Sequence, residues 1–173
     1  LEHVAERFLA EHEVDLRQVP RARARTLRAV ERAKRVLSSH AFAKVEEEFI
    51  ADRGGLPLHL AMEIRRDKYE DMIRPLIERS MASVQAALHD AKLLAREVDR
   101  IVLVGGATRT PLIQRELAER TGIEPRHEVD PDLCVALGAA AEAGLIAGED
   151  VHSVLVDITP HSLGIKCRGE VNG

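Results

Sequence analysis

Ile101-Val102-Leu103-Val104-Gly105-Gly106-Ala107-Thr108-Arg109-Thr110-Pro111 is the stretch on which the fold turns. Its four apolar residues have the length of a short buried strand. Two glycines end the run, and Thr110-Pro111 has the form of an N-cap followed by proline at the first helical position. A strand that bends through a diglycine into a capped helix opens an α/β unit. Without Cβ atoms the glycines let a ligand approach the main chain, and N–H groups near the helix start suit a phosphate. Arg109, at the mouth of the bend, can donate to phosphate or lie flat on a ring. A tight β-to-α turn in which glycine merely relieves strain fits the same residues equally well.

Downstream, Asp130-Pro131 repeats the cap-and-proline signature and opens a helix expected to reach about Ala147. Its residues Ala136, Gly138, Ala139, Ala140, Ala141, Ala143 and Gly144 are small enough for close packing. Asp132 at the helix start complements the helix dipole, and also has the position to face a ligand beside the bend; locally the first reading leads. Val154–Ile158 is a last strand-like run, and the polar Gly164–Gly173 tail is left over. Upstream, Asp67 opens a helical stretch to about Leu94, kinked or divided by Pro75. Before it come two strand-like runs, Ala41–Ala51 and Leu56–Ile64, joined by the hairpin chemistry of Asp52-Arg53-Gly54-Gly55. Val4–Glu13 and Val19–Ser39 carry helical spacing. The chain therefore begins α, carries one hairpin and then alternates β-α-β-α-β. That is an α/β fold with crossover helices, preceded by a separate helix-and-hairpin lobe.

On a wheel of about 100° per residue, Ala22, Ala29, Val30, Ala33 and Leu37 form the core side of the Val19–Ser39 helix. Glu31, Lys34, Arg35 and Ser38 share one arc opposite, at i, i+3, i+4 and i+7. A carboxylate, an ammonium, a flat guanidinium and a hydroxyl together suit a ligand with hydroxyls and a planar ring. On spacing alone a solvated charged face with an ordinary i,i+3 ion pair is the commoner occurrence. The neighbouring stripe Arg21, Arg25, Arg28 and Arg32 reads as surface.

Composition excludes several classes. The chain has 173 residues, a formal net charge of −4 and 2% aromatic content. That charge argues against a nucleic-acid partner, and so few aromatics leave no stacking platform for single strands. No run nears the roughly 18 consecutive apolar residues of a membrane span. The two cysteines, Cys134 and Cys167, make neither a disulfide framework nor a zinc knuckle and fit a reducing, cytoplasmic setting. The histidines show no metal-ligand spacing. No catalytic residue emerges, for no nucleophile has a base nearby and no acidic cluster is placed for Mg²⁺. Leu1 reads as mid-helix, so the chain is expected to be a piece of a longer protein.

Three blocks in register carry a further likeness: Glu31 to Ser39, Val102 to Pro111, and Asp130-Pro131-Asp132 with Val135-Ala136-Leu137-Gly138-Ala139-Ala140. In order and interval they resemble the seventy-kilodalton heat-shock (DnaK-type) chaperones over essentially the whole chain. The resemblance implies lobe II of an actin-like ATPase domain. Residues 1–70 would form its outer helix-and-hairpin subdomain, 71–150 its sheet subdomain, and 151–173 the interdomain linker with the first strand of an absent substrate-binding domain. It implies ATP or ADP as ligand, with Mg²⁺ held by residues outside this chain. Glu31 and Lys34 would meet the ribose, Arg35 and Arg109 would sandwich the adenine, and Ser38 would touch the base. Gly105 and Gly106 would approach the phosphates, and Asp132 would border the pocket.

Unfolded or peptide clients, a nucleotide exchange factor and a J-domain co-chaperone are the implied partners, and the implied fragment is inactive as an ATPase by itself. Departures from the family pattern stand at Ala107, Thr110, Asp130, Leu133-Cys134 and His161. A non-chaperone ATPase or sugar kinase of the same superfamily, and a partner-docking module without nucleotide, are the competing readings.

Overall fold

The computed structural model describes residues 1–126 and 129–149. The elements are α1 (Glu2–His12), α2 (Pro20–Leu37), β1 (Phe42–Arg53), β2 (Leu56–Arg65), α3 (Arg66–Asp90), α4 (Pro111–Thr121) and α5 (Cys134–Ile146). Single 3₁₀ turns occupy Ala95–Glu97 and Gly106–Arg109. The chain is mixed α and β, and its sheet is one antiparallel pair, β1 with β2. Two compact units divide it, Leu1–Asp132 and a second from Leu133 onward.

The first core of the Leu1–Asp132 unit joins α1, α2 and the hairpin. Proline at N1 starts α2, and its residues Ala22, Thr26, Ala29, Ala33 and Leu37, spaced three and four apart, are all buried. Thr26 satisfies its hydroxyl within the helix by donating to the Ala22 carbonyl at 2.9 Å. Against this face lie Val4 and Phe8 of α1, with Ala43, Val45, Leu60, Met62 and Ile64 of the hairpin. Gly54 (φ +61°) and Gly55 (φ +87°) make the two-residue turn, as their left-handed backbone requires, and Asp52 accepts from the Gly55 N–H at 3.0 Å.

The hairpin departs from a regular ladder between Glu47↔Leu60 and Ala51↔Leu58, where three residues of β1 oppose His59 alone. Arg25 of α2 explains the departure. Its guanidinium donates to the carbonyls of Glu48 (2.6 Å) and Phe49 (2.9 Å) and to the Glu47 carboxylate (2.8 Å), and Phe49 adopts φ +50°. Arg32 reaches the same carboxylate at 2.7 Å. Half of the arginine stripe expected at the surface thus binds α2 to β1, because Glu47 stands opposite it. Its hydrogen bond from Arg32, then those from Arg25, hold the Glu47 carboxyl below the ordinary carboxylate range.

The second core packs Ile77 and Met81 of α3 with Leu103, Leu112 and Leu117. α3 continues through Pro75 as a single element. Ion pairs join it to α4: Arg115–Glu70 at 2.7 Å, Arg120–Glu78 at 2.6 Å and Arg74–Glu116 at 3.3 Å.

Two expectations change here. The strand Ile101–Val104 is reduced to a single parallel bridge, Val102 to Arg126, with the Arg126 N–H donating to the Ile101 carbonyl at 2.9 Å. A strand is defined by its partners, and among the described residues Arg126 alone opposes this run in a ladder. The last helix begins at Cys134 rather than at Asp130, because residues 130–133 are drawn into a turn by the bonds described below. Val154–Ile158, the Gly164–Gly173 tail and the linker-and-strand segment 151–173 lie outside the described residues. Within the second unit, α5 buries none of its own residues. Among the described residues no helix is long and apolar enough to cross a membrane.

Candidate functional site

Glu31, Lys34, Arg35 and Ser38 stand on one face of α2 because the helix repeats every 3.6 residues. The other half of the site is the diglycine bend. Gly105 takes φ +87° and ψ 145°, a region closed to side chains, and turns the chain into the 3₁₀ turn that carries Arg109. Its N–H donates to the Pro131 carbonyl at 2.8 Å, which seats the 130–132 turn on the bend.

One cavity of about 530 Å³ is shared by the two halves, within the size range of small-molecule sites. Its lining includes Glu31, Lys34, Arg35, Ser38, Gly106, Arg109 and Asp132, which is all of the expected set except Gly105. Gly105 acts one step back, by making the bend. Tyr69, Ala107 and Thr110 complete the wall. Tyr69, the chain's only tyrosine, is the residue sequence reasoning passed over. It enters because the start of α3 returns to the end of α2, where the Arg66 guanidinium donates to the Leu37 carbonyl at 2.8 Å. That contact spans 29 residues and has no local signal.

The charges are arranged in two sets. On α2, Lys34 reaches Glu31 at 2.7 Å and Arg35 reaches it at 3.5 Å. The Lys34 hydrogen bond holds the Glu31 carboxyl below the ordinary range, so it stays an ionised acceptor at neutral pH. At the bend, Arg109 donates to Asp132 through Nε (3.2 Å) and Nη2 (3.0 Å), and to Asp130 through Nη2 (2.6 Å). Asp130 also accepts the Asp132 N–H at 2.9 Å, and that bond, ahead of Arg109, keeps its carboxyl low. This turn replaces the first helical turn expected at Asp130. A Cβ on Gly106 would stand 2.9 Å from Asp132 Oδ1, so the second glycine leaves room for that carboxylate.

The first glycine has a different duty and its own test. Gly105→Ala meets open space but forces a side chain into a backbone region that costs about 1–3 kcal/mol. Thermal melting of this variant is expected to show a destabilisation of that size; an unchanged midpoint would mean the bend does not need glycine.

A family model described as Hsp70 protein matches residues 1–173. The chain belongs to the Hsp70 family. The Chaperone protein DnaK of Thermus thermophilus is 43% identical over 170 residues, covering 97% of this chain and 28% of the relative. The Chaperone protein DnaK of Halobacterium salinarum is 41% identical over 169 residues, covering 98% of this chain and 27% of the relative. The chain thus spans under a third of the length of these curated relatives.

Proposed function

We propose that this chain is lobe II of an actin-like ATPase domain and binds the adenosine half of ATP or ADP. The parent protein would be an ATP-dependent chaperone. The observation that carries this reading is the convergence of the α2 arc and the diglycine bend on one cavity, in a chain of the Hsp70 family. The chemistry of the lining fits the ligand. Glu31, ionised and already paired to Lys34, accepts from ribose hydroxyls while Lys34 donates to them. The planar guanidinium groups of Arg35 and Arg109 supply two faces for an adenine ring, and Ser38 a hydroxyl for its edge. Since the Gly105 N–H is committed to Pro131, approach to the phosphates is assigned to Gly106, which lines the cavity.

ATP supplies the bond that is broken in the complete domain; the residues here bind and orient, and none is assigned a catalytic role. On this reading Mg²⁺ is held by residues outside this chain. We assign residues 1–70 to an outer subdomain and 71–150 to the one bearing the bend; the two separate cores, which meet near residue 70, favour the first boundary. Peptide clients, an exchange factor, a J-domain co-chaperone and a cytoplasmic setting follow from the same reading.

Calorimetric titration of the 173-residue chain with adenosine and with ADP tests it. One saturable site for both ligands is expected, with no ATP turnover above a blank. A chain that melts cooperatively yet binds neither ligand would overturn the proposal.

A further inference from the structure

We infer that Asp130 is a positioning residue for the adenine-binding guanidinium: it does not line the ligand cavity but sets the plane and answers the charge of Arg109, which does. The inference rests on the adenosine reading above. Asp130 is absent from the wall of the 530 Å³ cavity and lines the adjoining hollow behind Arg35 and Arg109. Its oxygen Oδ1 receives two donors, Arg109 Nη2 at 2.6 Å and the Asp132 N–H at 2.9 Å. The first bond is at the short end for a charge-assisted pair. The second brings Asp132 into register, so that Asp132 Oδ2 takes Nε and Nη2 of the same guanidinium. One oxygen of Asp130 thereby organises all three bonds on Arg109.

A guanidinium carries one flat plane, and bonds made in that plane by carboxylates leave its two faces open for stacking. They also use up its charge. With two carboxylates around one cation the corner has a net formal charge of about −1, so Arg109 has no surplus attraction for a phosphate. The clamp therefore selects a stacking role over an anion-binding role at a position where the sequence permits both. Gly105, whose N–H holds Pro131 between the two aspartates, keeps the turn seated, and Gly106 leaves the space Asp132 occupies.

Asp130→Ala tests this, with adenosine and ADP as probes on the 173-residue chain. Adenosine affinity is expected to fall about tenfold, the scale of one lost charge-assisted contact. ADP should fall less, about threefold, because an Arg109 with only Asp132 as counterion recovers some attraction for phosphate. Asp130→Asn keeps an acceptor at the same place and is expected to stay within about threefold of the parent chain for adenosine. Unchanged adenosine affinity in Asp130→Ala would overturn the inference while leaving the adenosine site standing. Equal losses for adenosine and ADP, tracked by a lowered melting midpoint, would also overturn it, since that is what a merely structural aspartate predicts. If Asp130→Ala does not fold, Asp130→Asn decides: near-parent adenosine binding with ADP strengthened relative to adenosine upholds the inference, whereas a loss of adenosine affinity of about tenfold with normal melting, or an ADP-to-adenosine ratio unchanged from the parent chain, overturns it. Failure of the parent chain itself to bind adenosine would overturn the reading on which the inference rests, and the inference with it.

Discussion

Replacing Arg115 with methionine is expected to destabilise the Leu1–Asp132 unit by about 3 kcal/mol, the lower end of the cost of breaking a buried ion pair from one side. Glu70 is the reason. It is 7% exposed on α3, its Oε2 accepts from Arg115 Nη2 at 2.7 Å, and its Oε1 has no hydrogen-bond partner among the described residues. Removing the guanidinium leaves a carboxylate enclosed with neither oxygen answered. The lower end applies because Arg115 is itself half exposed, and water can follow its departure. A second substitution checks the cause. Arg115→Met combined with Glu70→Met removes charge and acceptor together, and is expected to recover most of the lost stability by denaturant unfolding. If the double variant is no better than Arg115→Met, the loss lies in the packing of the arginine stem rather than in the stranded charge.

The pair also shows where sequence reading ran out. Positions 70 and 115 are 45 residues apart, and nothing in the local pattern of either helix says that a glutamate will be covered. Local features were legible: α2 shows its buried face and its cavity-lining arc at the same 3.6-residue period, and the Gly54-Gly55 turn follows from backbone sterics alone. What depended on distant partners was not. The bulge at Glu48–Ile50 is written by an arginine of α2, the start of α5 is displaced by Arg109, and Ile101–Val104 becomes a strand only to the extent that something lies beside it. The candidate site divides in the same way. Its α2 half is a property of one helix, whereas Tyr69 and Asp130 join through contacts that cross the chain.

The largest loss of ligand binding is expected from Arg35→Ala. Alanine substitution at a stacked base costs about 1–3 kcal/mol, which is roughly 5- to 150-fold in affinity. Arg35 is 80% exposed and pairs with Glu31 at 3.5 Å, with Lys34 holding Glu31 more closely at 2.7 Å. Little of the fold depends on it, so the melting midpoint should move by less than about 0.5 kcal/mol in stability. A loss of adenosine binding without a loss of stability separates the site from the scaffold. Arg35→Lys then separates the two things an arginine can do. Lysine keeps the charge but not the plane. If the side chain stacks on adenine, Arg35→Lys should lose nearly as much adenosine affinity as Arg35→Ala. If it serves as a counter-charge for phosphate, Arg35→Lys should retain ADP binding, and adenosine should barely notice either change. The first pattern is expected, because Lys34 already supplies a compact cation one residue away on the same arc, and Arg35 adds the planar group that arc otherwise lacks.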